Sequence, residues 1–239
     1  MKLRLFMCVG FLCAGLYGCN TRYTIFPPSD HYILRYQNPV SMCAEIKGTA
    51  NTPPEGSSPA EITYSQITIN TRPYWSTAQS ESQDLVDEAT FEALAKRFND
   101  TDFAGTTERC MTLPMMYVQT ESLNIVSDND YDAAHPAGTS LNDLFLVKYV
   151  CVDDILKPPY NFKGTDEQNE SGFPAWMFKD EVSAFNLRKP TLIQFNFTFY
   201  PKVQPDQNGI HRFTITYTNI EGKVLNATTG ALNLAGRQS

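Results

Sequence analysis

The sequence predicts a mostly β fold, and two alternating segments in the C-terminal third carry this prediction. In residues 193–199 and 213–218, apolar side chains occupy every second position, with Gln, Asn or Thr between them. A period of two is typical of an antiparallel strand with one face in the core and the other in water. Glu221 and Gly222 then predict a tight turn, after which residues 224–229 complete a hairpin. Sheets with one polar face require a second layer, so we expect an antiparallel, immunoglobulin-like β-sandwich.

Further strands are expected at residues 31–47, 61–70, 114–127 and 145–152. The alternation within 61–70 slips by one position between Tyr64 and Ile67, and a β-bulge would absorb that slip. The apolar run 145–152 is typical of a strand buried on both faces. We interpret residues 204–209 as the loop between the first two C-terminal strands, which makes that region an antiparallel meander.

The accessory element of this fold is one α-helix, expected at residues 87–98. Four apolar residues fall at positions i, i+3, i+4 and i+7 and share one face: Phe91, Leu94, Ala95 and Phe98. Asp84 or Asp87 can cap the helix start, and we expect the apolar face to pack on a sheet. Ser140 and Asp143 have the spacing of a capping box, which predicts one short helical turn.

Composition excludes several classes of protein. The chain has 239 residues, a formal charge of −7 and a pI of about 5.0. Hydrophobic residues make up 42% of it and aromatic residues 12%, so a sizeable core can form and wholesale disorder is ruled out. Because no segment is strongly basic, we expect no binding along a nucleic-acid backbone.

Residues 1–18 have the pattern of a bacterial secretory signal. Lys2 and Arg4 form a short positive region, and the 13 uncharged residues that follow are too few to span a bilayer as a helix. The segment ends in Leu16-Tyr17-Gly18-Cys19, which resembles the lipobox of bacterial lipoproteins. This resemblance implies transfer of a diacylglyceryl group to the Cys19 sulfur, cleavage before Cys19 and acylation of the new N-terminus. Several acyl chains on one terminus give stable anchoring.

Processing defines the expected organisation of the chain. Removal of residues 1–18 leaves 221 residues and changes the formal charge from −7 to −9. We expect a lipid-anchored tether at residues 19–30 and a single β-rich domain over residues 31–239.

Three cysteines remain after processing and acylation, namely Cys43, Cys110 and Cys151. They allow one disulfide with one leftover thiol, or three free thiols, and the sequence does not choose between these pairings. Their spacings match no zinc motif.

Three segments together resemble a family of small lipoproteins. They are the lipobox, residues 125–145 (IVSDNDYDAAHPAGTSLNDLF) and residues 211–229 (HRFTITYTNIEGKVLNATT). In combination they are similar to small Bacteroidetes lipoproteins grouped as a domain of unknown function. The resemblance implies a β-rich lipoprotein of the outer membrane, and it supplies no activity and no catalytic residues. Residues 20–23 lack the acidic cluster that surface-exported lipoproteins of this type often carry, which favours the periplasmic face over the cell surface.

Asp128, Asp130 and Asp132 form a D-x-D-x-D pattern. Alternate carboxylates on a turning loop suit a hard cation, so Ca²⁺ is the one candidate cofactor. An EF-hand would need Gly at the sixth position and Glu at the twelfth, where Ala133 and Thr139 stand, so that motif is rejected. The alternative, which we favour, is a solvated loop whose Asp side chains bond their own backbone.

The histidines do not predict a catalytic or metal site. His31, His135 and His211 are not paired at metal-ligand spacing, and we expect His135 to fix a turn beside Pro136. The sequence has no nucleophile elbow, phosphate-binding loop or dinucleotide fingerprint, so no catalytic residue is predicted. A Ser-His-Asp or Cys-His site stays open at this stage, because its members need not be close in sequence.

Aromatic residues beside prolines are the candidate ligand-binding residues. Tyr74 and Trp75 follow Pro73, and Trp176 closely follows Pro174, all in predicted loops. Exposed Tyr and Trp can stack on sugar rings or anchor a protein interface. The alternative is that each Trp covers an end of the sandwich.

The function expected from these features is non-catalytic binding at the cell envelope, either of a glycan or of a partner protein. It follows from the anchor, the β scaffold, the loop aromatics and the lack of a catalytic signature. The alternatives are an envelope hydrolase and a structural subunit of a surface assembly. A deep pocket with convergent, pKa-perturbed groups would favour the hydrolase, and a stoichiometric partner would favour the structural subunit.

Overall fold

The computed structural model describes residues 28–50, 63–74, 86–106, 114–153, 156 and 177–237. The structure is mostly β, as the alternating segments predict, with both antiparallel and mixed sheets. The expected signal at residues 1–18 and the expected acylation site Cys19 lie outside the described residues. Neither described helix has the length and apolar character needed to cross a bilayer.

The elements follow one another along the chain as β1 (Pro28–Ser29), β2 (Ser41–Ala50), β3 (Thr63–Tyr74), α1 (Glu88–Arg97), β4 (Gly105–Thr106), β5 (Thr120–Ser127), β6 (Phe145–Val150), β7 (Met177–Glu181), α2 (Val182–Arg188), β8 (Phe197–Pro201), β9 (Gly209–His211), β10 (Phe213–Asn219), β11 (Val224–Thr228) and β12 (Leu232–Leu234).

The large sheet has seven strands and is built around β3. Its strands follow the order β7-β6-β8-β3-β12-β9, and β2 pairs with β3 as well. All these pairings are antiparallel except that of β12 with β3, which is parallel, so the expectation of a purely antiparallel fold was wrong. The predicted bulge is confirmed: Gln66 pairs with Thr49 and Tyr64 with Ala50, which leaves Ser65 between them without a partner in the ladder.

The small sheet has three strands in the order β11-β10-β5. The hairpin of β10 and β11 is confirmed, and its turn contains Gly222 at φ 81°, a conformation that glycine adopts without steric cost. The side-chain oxygen of Asn219 accepts from the N–H groups of Glu221 and Lys223, which closes the turn.

The predicted C-terminal meander is wrong, because β8 and β10 belong to different sheets. β8 pairs with β6 and β3 in the large sheet, whereas β10 pairs with β11 and β5 in the small one. After β8 the chain returns to the large sheet as the short β9, and it crosses to the small sheet between β9 and β10. Alternation gives the period of each strand but does not identify its neighbour in the sheet. Strands that follow each other in the sequence were therefore wrongly expected to pair with each other.

One hydrophobic cluster takes side chains from both sheets. Phe197 and Phe199 of the large sheet join Ile215 and Tyr217 of the small one, and each is at most 1% exposed. Aromatic rings meet edge to face here, for example Phe195 and Tyr217 at 4.6 Å between centroids. Burial of one such side chain contributes about 1.5–3 kcal/mol, so the cluster is the main source of stability.

The helix α1 confirms the prediction for residues 87–98, with ends one residue shorter on each side. Asp87 is its N-cap, and its side chain accepts a hydrogen bond from the N–H of Thr90 at 2.8 Å. Leu94 and Ala95 are buried, and Leu94 belongs to a second hydrophobic cluster with Tyr36 rather than to the main core. The helix therefore covers the segment that precedes β2.

A buried carboxylate fixes that N-terminal segment. Asp100 is fully buried, and its two side-chain oxygens accept from the N–H groups of Tyr32 and Ile33, both at 2.8 Å. The ring of His31 donates to the Asp100 carbonyl. Pro28 and Ser29 also pair with Thr106 and Gly105, so the expected tether at 19–30 already contributes to the fold at its end.

The second helix, α2, was not predicted. Its seven residues are too few to display a helical period, and only Val182 and Phe185 are buried. The helix packs along the free edge of β5, where Asn186 bonds both backbone groups of Leu123. Because the local sequence does not specify a helix here, tertiary packing decides that α2 forms.

Two further local predictions need correction. β6 alternates buried and half-buried positions instead of being buried on both faces, because its outer face lines a groove. Residues 142–144 form an isolated tight turn instead of a turn of helix. The N–H of Leu144 donates to the carbonyl of Leu141 at 3.0 Å and closes this turn. Ser140 Oγ bonds Asn124 instead of capping a helix.

Candidate binding groove

A groove of about 690 Å³ crosses the outer face of the large sheet. The end of β2, the middle of β3, single positions of β6 and β7, and the end of β8 with its following loop all contribute to it. The polar side chains that matter most for its chemistry are Lys47, Gln66, Thr68, Lys179, Tyr200 and Lys202.

The pairing register sends these side chains away from the core. Phe199 on β8 is fully buried, so its neighbour Tyr200 faces the opposite side of the sheet. Antiparallel pairing sets Tyr200 opposite Leu146 and Lys47 opposite Thr68, and directly opposed residues share a face. Residues from five strands therefore meet in one groove.

The ammonium group of Lys179 lies over the ring of Tyr200, at 4.1 Å from its centroid. The negative face of the ring attracts the cation and holds a long, flexible side chain in one position. Partial burial raises the pKa of Tyr200 above its ordinary value, so the phenol stays protonated at neutral pH. The result is a positioned cation beside a neutral aromatic ring.

Two more lysines border the groove. Lys202 Nζ lies 2.6 Å from Glu181 Oε1, and this contact lowers the pKa of the Glu181 carboxyl. Lys47 has no salt bridge to any carboxylate in the described part of the chain. The groove thus combines one neutralised lysine with two that have no acidic partner among the described residues.

Gln204 closes one end of the groove. Its side-chain amide donates to the carbonyl of Ser65 at 2.8 Å, which ties the loop after β8 to the bulge of β3. Its Oε1 atom is buried, and no described group lies within hydrogen-bond distance of it. The bulge and the loop therefore hold each other in register.

Gly48 permits the close approach of β2 to β3 at the edge of the groove. A Cβ atom at this position would lie 2.6 Å from Cδ1 of Tyr64 and 2.8 Å from the carbonyl oxygen of Gln66. Such distances are well inside van der Waals contact, so any side chain here would push the strands apart.

The chemistry of the lining favours binding over acid–base catalysis. Among the described residues that line it there is no Asp, Glu, His, Cys or Ser. The groove offers amide, hydroxyl and ammonium groups around an aromatic ring, which are hydrogen-bond donors and acceptors for a polar ligand. A carboxylate or imidazole base for hydrolysis would have to come from residues other than these.

None of the predicted ligand-binding aromatics is among the described residues that line this groove. Trp75 and Trp176 lie outside the described residues, and Tyr74 ends β3, with only its backbone described. The role of these three residues stays a prediction.

The D-x-D-x-D segment forms a tightly bonded loop. Asp128 Oδ2 lies 3.2 Å from Arg212, and Asp130 Oδ1 accepts from the N–H of Ala137 at 2.8 Å. Asp132 accepts from the N–H of Ala134 at 2.9 Å. Within the ranges that the structure describes, no group of three or more His, Cys, Asp or Glu residues is arranged to hold a metal ion. Each carboxylate thus has a local partner, and calcium binding stays a prediction.

His135 fixes the turn after this loop, as the sequence indicates. Its Nδ1 atom lies 2.7 Å from Asp132 and its Nε2 atom 3.2 Å from Asp143. Because two carboxylates accept from one ring, hydrogen bonding to Asp132 and attraction to Asp143 raise the pKa of His135, although burial opposes this. The ring links residues 132 and 143 through its two nitrogen atoms.

The structure brings Ser127 and His211 together, but in a buried position. Ser127 Oγ lies 2.8 Å from His211 Nδ1 and also accepts from the N–H of Asn129. The two side chains are 2% and 1% exposed, and His211 stacks on Phe213. Burial lowers the pKa of His211. The distance between the two side chains is that of the serine and histidine in a catalytic triad. Both residues are buried, so a substrate has no access to the pair.

The cysteine pairing stays open. Cys43 on β2 is a half-buried free thiol, and Cys151 is fully buried at the end of β6. Cys110 lies outside the described residues.

A comparison with models of known protein families finds no match for the chain, and searches of curated proteins and of solved structures find no significant match either. The candidate groove therefore rests on the geometry of this chain alone.

Sequence reasoning missed the groove because its residues lie on the polar faces of strands. Alternation identifies those faces, but it does not tell which strands become neighbours in the sheet. Tyr200 and Lys202 carry the one local signal, since an aromatic residue and a lysine flank Pro201 where a strand ends.

Proposed function

We propose that this protein is a lipid-anchored envelope protein that binds a glycan without catalysis, through the groove on the large sheet. The observation that carries the proposal is the lining: hydroxyl, amide and ammonium groups around Tyr200, without a carboxylate or histidine among the described lining residues. Such a surface forms many hydrogen bonds and lacks the groups that a glycosidase uses.

The shape of the groove supports an extended ligand. It runs across strands from β7 to β2 and is open to solvent, so a chain of sugar rings could lie along it. Gln66 and Thr68 project from β3 in the middle of this path and supply polar groups suited to sugar hydroxyls. Tyr200 adds an apolar surface of the kind that packs against sugar rings.

We propose further that the two sheets form an immunoglobulin-like β-sandwich. The single hydrophobic cluster shared by β3, β6 and β8 with β5, β10 and β11 supports two face-to-face layers. In such an arrangement, the outer face of the large sheet is a rigid platform for binding.

The proposed location is the periplasmic face of the bacterial outer membrane, where the acyl chains on Cys19 would hold the protein. The signal-like residues 1–18 and the lipobox support it. The acidic composition argues against nucleic acid as a partner.

A melting scan of the full chain in mild detergent tests the binding function against a panel of glycans, calcium and EDTA. A ligand at about 100 times its Kd stabilises the fold by about 2.7 kcal/mol, which moves the transition visibly. We expect a shift with one glycan class that is lost in Tyr200→Ala, whereas Asn226→Ala on the outer side of β11 keeps it.

The other outcomes of this scan separate the alternatives. A shift with calcium alone would instead assign a metal site to residues 128–132. The absence of any shift would favour a protein partner, sought by cross-linking in the intact envelope. Cleavage of a polymer that a single point mutation abolishes would replace binding with a hydrolase function.

A further inference from the structure

We infer that the glycan bound in this groove is anionic, and that Lys47 and Lys179 bind its negative groups. This inference rests on the proposed function and names the ligand class for the same groove. The ligand chemistry is a sugar polymer that bears carboxylate, sulfate or phosphate groups along its length.

The first observation is a local reversal of charge. The chain carries a formal charge of −7, yet the described lining of the groove contains three lysines and no carboxylate. Glu181 neutralises Lys202 from the rim, and no described carboxylate pairs with Lys47 or Lys179. A concave surface of one sign attracts ligands of the opposite sign, especially when the rest of the molecule repels them.

The second observation is the positioning of the charges. Lys179 is held over Tyr200 at 4.1 Å, so its ammonium loses less freedom when a ligand binds.

The third observation is the separation of the charges across the sheet. Lys179 lies on β7 and Lys47 on β2, with β6, β8 and β3 between them. Neighbouring strands lie about 4.8 Å apart, so the two lysines border opposite sides of the groove. One small anion cannot bridge such a gap, whereas a polymer with repeated negative groups can contact both sides.

The test uses glycans that differ in charge but share a backbone. Polygalacturonate is compared with its fully methyl-esterified form, and dextran sulfate with dextran, by titration into the full chain in mild detergent. We expect binding of at least one acidic member of these pairs, weaker binding of its neutral counterpart, and loss of affinity as salt rises. Preference for polygalacturonate would identify carboxylates as the recognised groups, and preference for dextran sulfate would identify sulfates.

Variants assign the effect to the groove. Lys47→Gln and Lys179→Gln should each weaken acidic-glycan binding about 3- to 10-fold, since hydrogen-bonded charges contribute about that much. Lys96→Gln removes an exposed positive charge from α1, outside the groove, and should leave affinity unchanged. Melting curves of all three variants verify that they are folded. If Lys179→Gln does not fold, the affinity of Lys47→Gln alone tests the inference.

Three results would overturn the inference. Equal binding of the charged and neutral partners, insensitive to salt, would reject an anionic ligand while the glycan-binding function stands. Equal loss in Lys96→Gln and the groove variants would reject this groove as the site. Failure of every glycan to bind would reject the inference and the proposed function together.

Discussion

Single residues set the geometry of this protein where strands and loops come closest. Gly48 and Gln204 hold β2, β3 and the loop after β8 in contact around the groove. Asp100 and His135 fix segments outside the sheets through side-chain hydrogen bonds. The turn contact of His135 is local in sequence, whereas the contacts of Gly48, Gln204 and Asp100 join distant residues and depend on the completed fold.

Gly48→Ala should destabilise the protein and weaken binding in the groove. The new Cβ would lie within 2.8 Å of Tyr64 and Gln66, so β2 must move away from β3. Overpacking of this kind costs about 1–3 kcal/mol, measured as the free energy of unfolding in urea. Gly230→Ala is the matched control, because its Cβ would meet nothing within 4 Å. If Gly48→Ala unfolded at the same urea concentration as the wild type, the close packing of these strands would be refuted.

The histidines His135 and His211 should act on stability in opposite directions as the pH changes. The pKa of His211 is lowered in the folded state, so its contribution is complete above the unfolded value of about 6.5 and is lost as the pH falls below it. The pKa of His135 is raised, so its stabilisation is complete below about 6.5 and is lost as the pH rises through the folded value.

Unfolding free energies of the wild type, His211→Asn and His135→Asn between pH 5 and 8 test this. On acidification, the wild type should lose stability relative to His211→Asn and gain it relative to His135→Asn. Each unit of pKa difference corresponds to about 1.4 kcal/mol. If the unfolding free energies of the three proteins changed with pH in the same way, the opposite pKa shifts of His135 and His211 would be contradicted.

At the scale of elements, the small sheet needs protection at the edge of β5. An unpaired strand edge is a template for association with other chains. Asn186 of α2 both donates to and accepts from the backbone of Leu123, and Asn142 bonds Leu123 and Ile125 in the same way. Two amide side chains therefore take the place of a neighbouring strand.

Asn186→Ala should expose this edge. The N–H of Leu123 would lose its partner at 2.7 Å, at a cost of about 1–3 kcal/mol, and the free edge should favour self-association. Unfolding in urea and light scattering measure the two effects. Asn226→Ala, on an exposed position of β11, should change stability by no more than about 0.5 kcal/mol. If both variants behave alike, Asn186 does not protect the edge.

At the scale of the whole molecule, the proposed architecture joins an anchor, a rigid β platform and an open groove. The groove lies on the outer face of the large sheet, away from the shared core. Binding there should therefore leave the core packing unchanged, so that anchoring and binding are separable functions.

Cys19→Ser should abolish lipid attachment. A serine hydroxyl replaces the thiol that the lipobox resemblance implicates in acyl transfer, and without acyl chains the protein loses its hold on the membrane. Metabolic labelling with an alkyne fatty acid, followed by fractionation, measures both effects. Cys43→Ser is the matched control and should keep the label. A labelled Cys19→Ser protein would exclude acylation at this residue.

The sequence by itself determined the mostly β class, the helix α1, the bulge in β3 and the hairpin of β10 and β11. Each depends on a period or a turn within a few neighbouring residues, which local sequence records directly. The turn-fixing role of His135 was predictable for the same reason. The tertiary structure alone decided α2, the separation of β8 from β10 and the meeting of Lys47, Lys179 and Tyr200. These depend on which strands become neighbours, and strand pairing is decided by burial of the whole core rather than by any one segment.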